Sequence, residues 1–509
     1  MATDDASIVV TLDIGGSAAK AVAYDAARQR SLASTAVPYP ARPNDDPETF
    51  RPEDWWQAAV GALGELRRAL DEPPGRYLGI TVSAIRIPFV LINCDGDAVM
   101  PGLLNRDRRA AGQLATVAAA LGADDLYGLT GHWLAPEFGL PKLLWAREAS
   151  PSAWRATRFV LQLHDWFIYK LSGVVASEPS SAAMSQMLDV AHSRWAAALL
   201  DELAIAARLM PELRPAGTCV GGLLPAVAGA TGFAAGTPVH LGGGDTQLSA
   251  ESAGASEQAT PVVVAGTTAP VQVAMPAAGL PCSAARYPLL LSEHVTAGTW
   301  MLEANAGLTG GVLQRLSDLG DQSGEPLAGE LRRRGLRLDG ARQAELTVLA
   351  GNPFFSPQGW AASPPPTVIG LRPWHRGADV YGACLRAICY AVKSVLGTLA
   401  EHAGIPARPV IATGGMSRST EWAQLLADVT GRDVRVRPLQ AIGGRAGASL
   451  VAGGLTGWPS GRAAGEAAAP AEERCFSPRP GAAAGHDAGF ARYQQLFQAA
   501  QLELNAVEE

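Results

Sequence analysis

Ser7-Ile-Val-Val-Thr-Leu-Asp13-Ile-Gly-Gly-Ser17-Ala-Ala-Lys-Ala-Val-Ala-Tyr24 is the stretch on which the fold turns. Two runs of β-branched and small apolar residues flank a Gly-Gly turn, a spacing that predicts a β-hairpin. About 250 residues later, Thr260-Pro-Val-Val-Val-Ala-Gly-Thr-Thr-Ala-Pro-Val-Gln-Val273 repeats the order strand, Gly-hydroxyl turn, strand. Two such hairpins predict two related α/β halves, each opening on a turn whose backbone N–H groups can face a phosphate. We place the division at 255/256, giving units 1–255 and 256–509.

Outward from the first hairpin, residues 53–70 read as an amphipathic helix carrying Trp55, Trp56, Ala59, Leu63 and Leu66 on one face. Residues 77–82 and 88–93 read as strands, 107–121 as a helix, and 150–215 as mainly helical. Pro238-Val-His-Leu-Gly-Gly-Gly-Asp245 reads as a strand ending in a glycine turn, with a helix over 246–254. In the second half a helix is expected over 377–400, a strand over 409–413 and a helix over 419–430. The Ala/Gly/Pro-rich residues 459–487 read as a loose linker, and 488–507 as a final helix.

Composition narrows the function class. The 509 residues are 48% hydrophobic and 17% charged, so the chain has ample material for a core and is not a disordered polymer. A net charge of −7 argues against a generic nucleic-acid binder. No uninterrupted apolar stretch reaches the roughly 18 residues of a membrane span. Residues 1–7 lack the basic and apolar parts of a signal peptide, so the expected compartment is the cytoplasm. The six cysteines and eight histidines are scattered, without metal-ligand spacing.

Three glycine-rich turns each follow an apparent strand: Asp13-Ile-Gly-Gly-Ser17, Gly266-Thr-Thr268 and Gly414-Gly-Met-Ser-Arg-Ser419. Glycines let a backbone approach phosphate closely, and hydroxyls add donors. Each alone is also an ordinary strand–helix junction. Asp245, where a strand meets a helix, can be a general base or a plain helix N-cap. As a base, it is expected to be kept ionised by the helix dipole. Asp13 can contact a metal ion or merely bond its own turn.

Taken together and in this order, these motifs resemble the FGGY-type carbohydrate kinases. The resemblance runs from about residue 8 to 455. Its further carriers are Asn105-Arg-Asp-Arg-Arg109, Thr130-Gly131, Leu140-Pro-Lys-Leu-Leu-Trp145, His164-Asp165 and Gly310-Gly-Val-Leu-Gln314. Trp422 and Gln424 follow the third turn. The resemblance implies two actin/hexokinase/Hsp70-like (ribonuclease H-like) α/β domains flanking a catalytic cleft. It implies an ATP-dependent phosphotransferase acting on a hydroxyl of a sugar, a xylulose-like ketose or a polyol. Asp245 is then the base and Asp13 the Mg²⁺ contact. Gly15, Gly16, Ser17, Gly266, Thr267, Gly310, Gln314, Gly414, Gly415 and Ser419 fall at the ATP-binding positions. Arg86, Asp107 and Arg109, with Asp245, are the substrate-side candidates; an ion pair at a helix start is the alternative for Asp107 and Arg109, and a surface arginine the alternative for Arg86. Lys20 could touch phosphate, and Trp133 could pack on a sugar face. A homodimer is a family-level expectation; neither nucleic acid nor membrane is an expected partner.

The departures concentrate on the acceptor side. Ser83-Ala-Ile-Arg-Ile-Pro88 has neither the Gln-Met-His-Gly segment of xylulose kinases nor the Arg-Glu pair of glycerol kinases. Gly16 stands where Thr is usual, Arg106 where Asn is common, and Arg386 where the second signature ends in an acid. A non-catalytic sugar- or nucleotide-binding regulator on the same scaffold is the competing reading. An actin- or Hsp70-like ATPase acting on a protein is another, disfavoured by the segments at 105–109 and 140–145.

Overall fold

The structure is a computed structural model. It describes residues 6–28, 30–41, 46–254, 259–266, 268–276, 289–308, 310, 312–313, 346–349, 367–405, 407–437, 447, 451 and 473–508.

Both expected hairpins form, and each seeds a sheet. In the first, Ile8–Ile14 pairs antiparallel with Ala18–Asp25, bringing Asp13 opposite Lys20, and Ala18–Asp25 pairs with Arg30–Pro38. On its other side Ile8–Ile14 runs parallel to Tyr77–Ala84, which runs parallel to Pro238–Gly244, with Cys219–Gly222 at the edge. In the second, Val262–Val264 pairs antiparallel with Thr268–Pro276, and that strand with Thr299–Leu308. Val262–Val264 runs parallel to Val410–Thr413, then Val434–Val436, with Arg474–Phe476 antiparallel at the edge. The two sheets thus share six strands in the same order and sense, which makes the weak sequence repeat a structural one. Leu290–Glu293 extends the second sheet.

Helix Pro52–Ala69 covers the first sheet. Pro at its first position, Glu53 and Asp54 in the first turn, and Arg67 and Arg68 in the last suit the helix ends. Trp55, Ala59, Leu63 and Leu66 fill the core beneath it. Helix Gly377–Ala403 does the same for the second sheet through Cys384, Ile388, Val392, Val395 and Leu399. It is long and apolar enough to cross a membrane, but 72% of its apolar window is buried in this core. Five cysteines, all except Cys282 among the undescribed residues, are free thiols.

Several expectations are corrected. The strand from Pro238 continues through the glycines to Gly244, and the helix starts at Asp245. Residues 107–121 form a short 3-10 turn, Arg109–Gln113, and then helix Leu114–Ala120. Residues 150–215 mix short helices with strands such as Phe159–Gln162, which joins a separate four-stranded sheet with Phe89–Ile92, Gly102–Leu103 and Thr49–Phe50. Of the expected linker, 474–476 is the sheet edge and the last helix begins at Ala482. Val451, from beyond the second sheet, packs on Val9 and Tyr24 of the first.

Candidate active site

Asp245 owes its place to a β-bulge. Val239 and His240 pair with Ile80 and Thr81, but the register then slips, and Gly243 and Gly244 pair with Ser83 and Ala84. Leu241 and Gly242 therefore share the space opposite Val82, and the strand end is re-aimed. A Cβ on Gly242 would lie 1.9 Å from the Val82 carbonyl oxygen, so only glycine fits. The Gly242 N–H donates to His164 Nε2 at 3.1 Å, and His164 Nδ1 lies 3.0 Å from Asp165 Oδ1. That chain fixes the imidazole with its proton on Nδ1 and its acceptor on the bulge. Asp165 also accepts the Gln162 N–H at 3.1 Å, closing a capping box on helix Leu163–Ser172.

Asp245 is the first residue of its helix, and Gly244 is the cap, so the N-cap alternative does not describe it. Oδ1 accepts from the Thr246 N–H (2.7 Å) and hydroxyl (3.0 Å). No hydrogen bond to Oδ2 occurs among the described residues. Burial pushes the carboxyl up to about 6; Arg86 pulls it back, and Asp13 pushes it further. The helix-dipole expectation is thus outweighed by burial and a second carboxylate.

Asp13 lies on the adjoining hairpin, its Oδ1 accepting from Ser83 Oγ at 2.9 Å. Burial raises this carboxyl too, while Lys20 and Ser83 oppose the rise. Lys20 Nζ is 3.9 Å from Asp13 Oδ2 and mostly in solvent, a weak pairing. Gly15, Gly16 and Ser17 form the tight turn beyond, closed by the Gly15 N–H to the Ala18 carbonyl at 3.2 Å. A Cβ at Gly16 meets nothing within 4 Å, so the missing threonine is not a steric necessity.

Arg86 is neither a surface arginine nor a free one. Ile87, β-branched and just before Pro88, holds φ at 84°, a strained turn in the divergent segment. The Arg86 guanidinium there forms a bidentate pair with Glu303 of the second sheet, at 2.8 and 2.7 Å. Gln272 Nε2 donates to the same carboxylate at 2.6 Å. Burial works against the Arg86 charge, but Glu303 outweighs it and holds the group protonated. Glu303 was missed in the sequence; a lone acid in the apolar run of strand Thr299–Leu308 is the signal that could have found it.

The glycines expected at the ATP-binding positions of the second half come together. The Gly310 N–H donates to the Gly266 carbonyl at 3.0 Å, and the Met416 N–H to the Ala265 carbonyl at 3.1 Å, which seats Gly414 and Gly415 beside the second hairpin turn. Ser419 caps helix Thr420–Thr430, accepting from the Trp422 N–H at 3.2 Å and donating to Glu421 at 2.8 Å. Thr267 and Gln314 lie outside the described residues. Trp422 is fully buried, and Gln424 bonds Asp428 and the Ser477 carbonyl.

Asp107 and Arg109 find each other instead of Asp245. Arg109 grips Asp107 at 2.9 and 2.7 Å, pairs with Asp46 and Glu48, and lies 4.3 Å from the Trp145 ring centroid. The ion-pair alternative for these residues is the one seen. Trp133 is core, packed with Ile87, Phe138 and Met184. A 610 Å³ cavity between helices Gly377–Ala403 and Ala482–Glu508 shares no residue with the Asp13–Arg86–Asp245 cluster.

Because His164 holds the bulge three residues before Asp245, replacing it should disturb alignment more than binding. His164→Ala is expected to lower kcat about tenfold or more with nucleotide affinity unchanged, and His164→Gln, which keeps an acceptor, to recover part of it. Steady-state kinetics of both variants check this. Equal losses in the two variants would show that the acceptor atom does not matter.

The N-terminal domain model of the FGGY family of carbohydrate kinases matches residues 8–251, and the C-terminal domain model matches 261–453. The chain belongs to the FGGY family of carbohydrate kinases. These are phosphotransferases with an alcohol acceptor, on a two-domain actin/hexokinase-like fold. The chain is 30% identical to YoaC of Bacillus subtilis (strain 168) over 287 residues, 56% of this chain and just 55% of that protein. It is 25% identical to the autoinducer-2 kinase of Salmonella typhimurium over 488 residues, 90% of this chain and 88% of the other. The crystal structure of xylulose kinase from Rhodospirillum rubrum superposes with a TM-score of 0.81 at 22% identity, covering 98% of this chain and all of that one. The segment Ser83–Pro88, where this chain departs from the patterns of xylulose and glycerol kinases, coincides with the Ile87 turn and the Arg86–Glu303 pair.

Proposed function

We propose that this chain transfers the γ-phosphoryl group of ATP to a hydroxyl of a sugar, ketose or polyol, with Asp245 as general base. The observation that carries this is the Asp245 carboxylate. One oxygen is anchored by Thr246, the other accepts no hydrogen bond among the described residues, and burial sets the carboxyl's proton affinity at about 6. A base poised near the working pH accepts a hydroxyl proton as the oxygen attacks. The acceptor O–H bond breaks toward Asp245 Oδ2, an O–Pγ bond forms, and the bond from Pγ to the β-phosphate oxygen breaks, releasing ADP.

The residues present fit Mg²⁺. Asp13 and Asp245 are two carboxylates, Asp13 near enough to raise the proton affinity of Asp245, and the described residues hold no group of three or more His, Cys, Asp or Glu that could bind a metal ion by themselves. An ion that keeps its waters and takes few protein carboxylates suits that set. Asp13 would hold it, and when bound it supplies charge neutralisation to the phosphates. The expected units 1–255 and 256–509 then serve acceptor and nucleotide respectively, in the cytoplasm, with closure excluding water. Similarity to an autoinducer-2 kinase and to xylulose kinase structures supports a small polyhydroxylated acceptor.

ADP release across a panel of ketoses, polyols and sugars tests the reading. Turnover dependent on one class of acceptor is expected; ATP hydrolysis indifferent to every acceptor contradicts it.

A further inference from the structure

We propose that Glu303, reaching from the second sheet, is a specificity-determining residue that neutralises Arg86 and so restricts the acceptor site to uncharged polyhydroxy compounds, refusing aldonates. This rests on the kinase reading above and narrows it. Arg86 is the cation that acts on the Asp245 carboxyl, so it is the group an acidic acceptor would seek. Both its terminal nitrogens are committed to Glu303, in a pair exposed to only 11% and 4%. A bidentate carboxylate already in place leaves no charge for a second one. An incoming aldonate would also meet Asp13 and Asp245, both acids, with no free cation offered by Arg86 in compensation.

The neutral groups around the pair point the same way. The His132 ring is buried, and its Nδ1 lies 2.7 Å from the Thr130 carbonyl, which places the proton there and leaves Nε2 an acceptor. Burial holds this ring neutral, its proton affinity lowered to about 4. His132 Nε2, Gln247 Oε1 and Gln272 Oε1 are buried without a hydrogen-bond partner among the described residues. Gln272 touches Glu303, and Gln247 Oε1 crowds the same face of Gly244 as the Arg86 stem. All three are acceptors. Hydroxyl groups can donate to them; a carboxylate cannot.

The test compares kcat/KM for xylitol, D-xylulose and xylonate by ADP release, in the wild type, Glu303→Gln, and the double variant Arg86→Gln/Glu303→Gln. The wild type is expected to favour the better neutral acceptor over xylonate by at least a hundredfold. Glu303→Gln leaves Arg86 with an unmatched charge, and the preference should fall at least tenfold. The double variant, neutral again, should restore it. If the single variant does not fold, the wild-type and double-variant ratios decide. A wild type that uses xylonate as well as the neutral acceptors overturns the proposal, as does an unchanged ratio in folded Glu303→Gln or a double variant tolerant of xylonate. Turnover confined to xylonate would leave the kinase reading standing and remove only this inference. Absence of turnover with every acceptor tried would remove the reading beneath it.

Discussion

Asp245→Asn should lower kcat by about a thousandfold while ADP binding persists, within the 10²–10⁴ that a positioned base contributes. The substitution is close to isosteric. An asparagine Oδ1 can still accept from the Thr246 N–H and hydroxyl that hold the present carboxylate at 2.7 and 3.0 Å. The Gly266, Gly310 and Gly414 backbone lies on the other sheet and is untouched. What disappears is the proton acceptor. In the wild type, kcat/KM should fall as pH drops through about 6, because the raised carboxyl takes up its proton there. Stability runs the opposite way. The unfolded carboxyl titrates near 3.8 and the folded one near 6, so the folded state binds the proton more tightly and gains stability as pH falls through that window. Asp245→Asn lacks the buried charge. It should therefore melt higher than the wild type at pH 8, and the difference should vanish by pH 4. Pre-steady-state ADP release and paired melting curves check both limbs. A variant that keeps wild-type turnover would falsify the base assignment.

How much of this site could be read from the chain depends on the sequence distance each interaction spans. Asp13 and Asp245 were legible because each ends a strand beside glycines, a local pattern that backbone geometry enforces. The repeat was legible only as two Gly-hydroxyl turns; its proof is the shared strand order of the two sheets. Arg86 was visible as a departure, but its partner is 217 residues away, and no local rule links them. The glycines at 242–244 read as a turn. The structure keeps them in the strand, because the bulge opposite Val82 absorbs the extra residue and His164 takes the freed N–H. Asp107 and Arg109, two apart, read equally well as substrate contacts or as a pair, and the fold shows them paired. The misjudged acidity of Asp245 has the same origin. A helix start can be seen in the sequence, whereas burial and an approaching Asp13 cannot. Residues 150–215 failed for another reason: apolar spacing over short segments does not separate a buried strand such as Phe159–Gln162 from a helix.

Gly414→Ala is expected to cost roughly 3 kcal/mol and to weaken ADP binding at least tenfold. Its φ of 99° with ψ of 175° is a conformation that essentially only glycine holds. An added Cβ would stand 2.3 Å from the Ala265 carbonyl oxygen and 2.6 Å from its carbon. Both are backbone atoms, fixed by the Ala265 N–H to Thr413 (2.8 Å) and the Met416 N–H to Ala265 (3.1 Å), so neither can step aside. Relief must come from parting the third glycine turn from the second hairpin turn, the two pieces proposed to meet the nucleotide. Gly415 separates fold from ligand. It is exposed, its φ is not left-handed, and a Cβ there meets nothing within 4 Å. Gly415→Ala should therefore melt with the wild type, yet bind ADP about tenfold more weakly, since the methyl group would occupy surface proposed to meet the nucleotide. Thermal melts and titration calorimetry with ADP distinguish the two. Were Gly415→Ala to bind ADP as the wild type does, the nucleotide would have to lie elsewhere than against this turn, and the pairing of Gly266 and Gly310 beside it would be scaffolding alone.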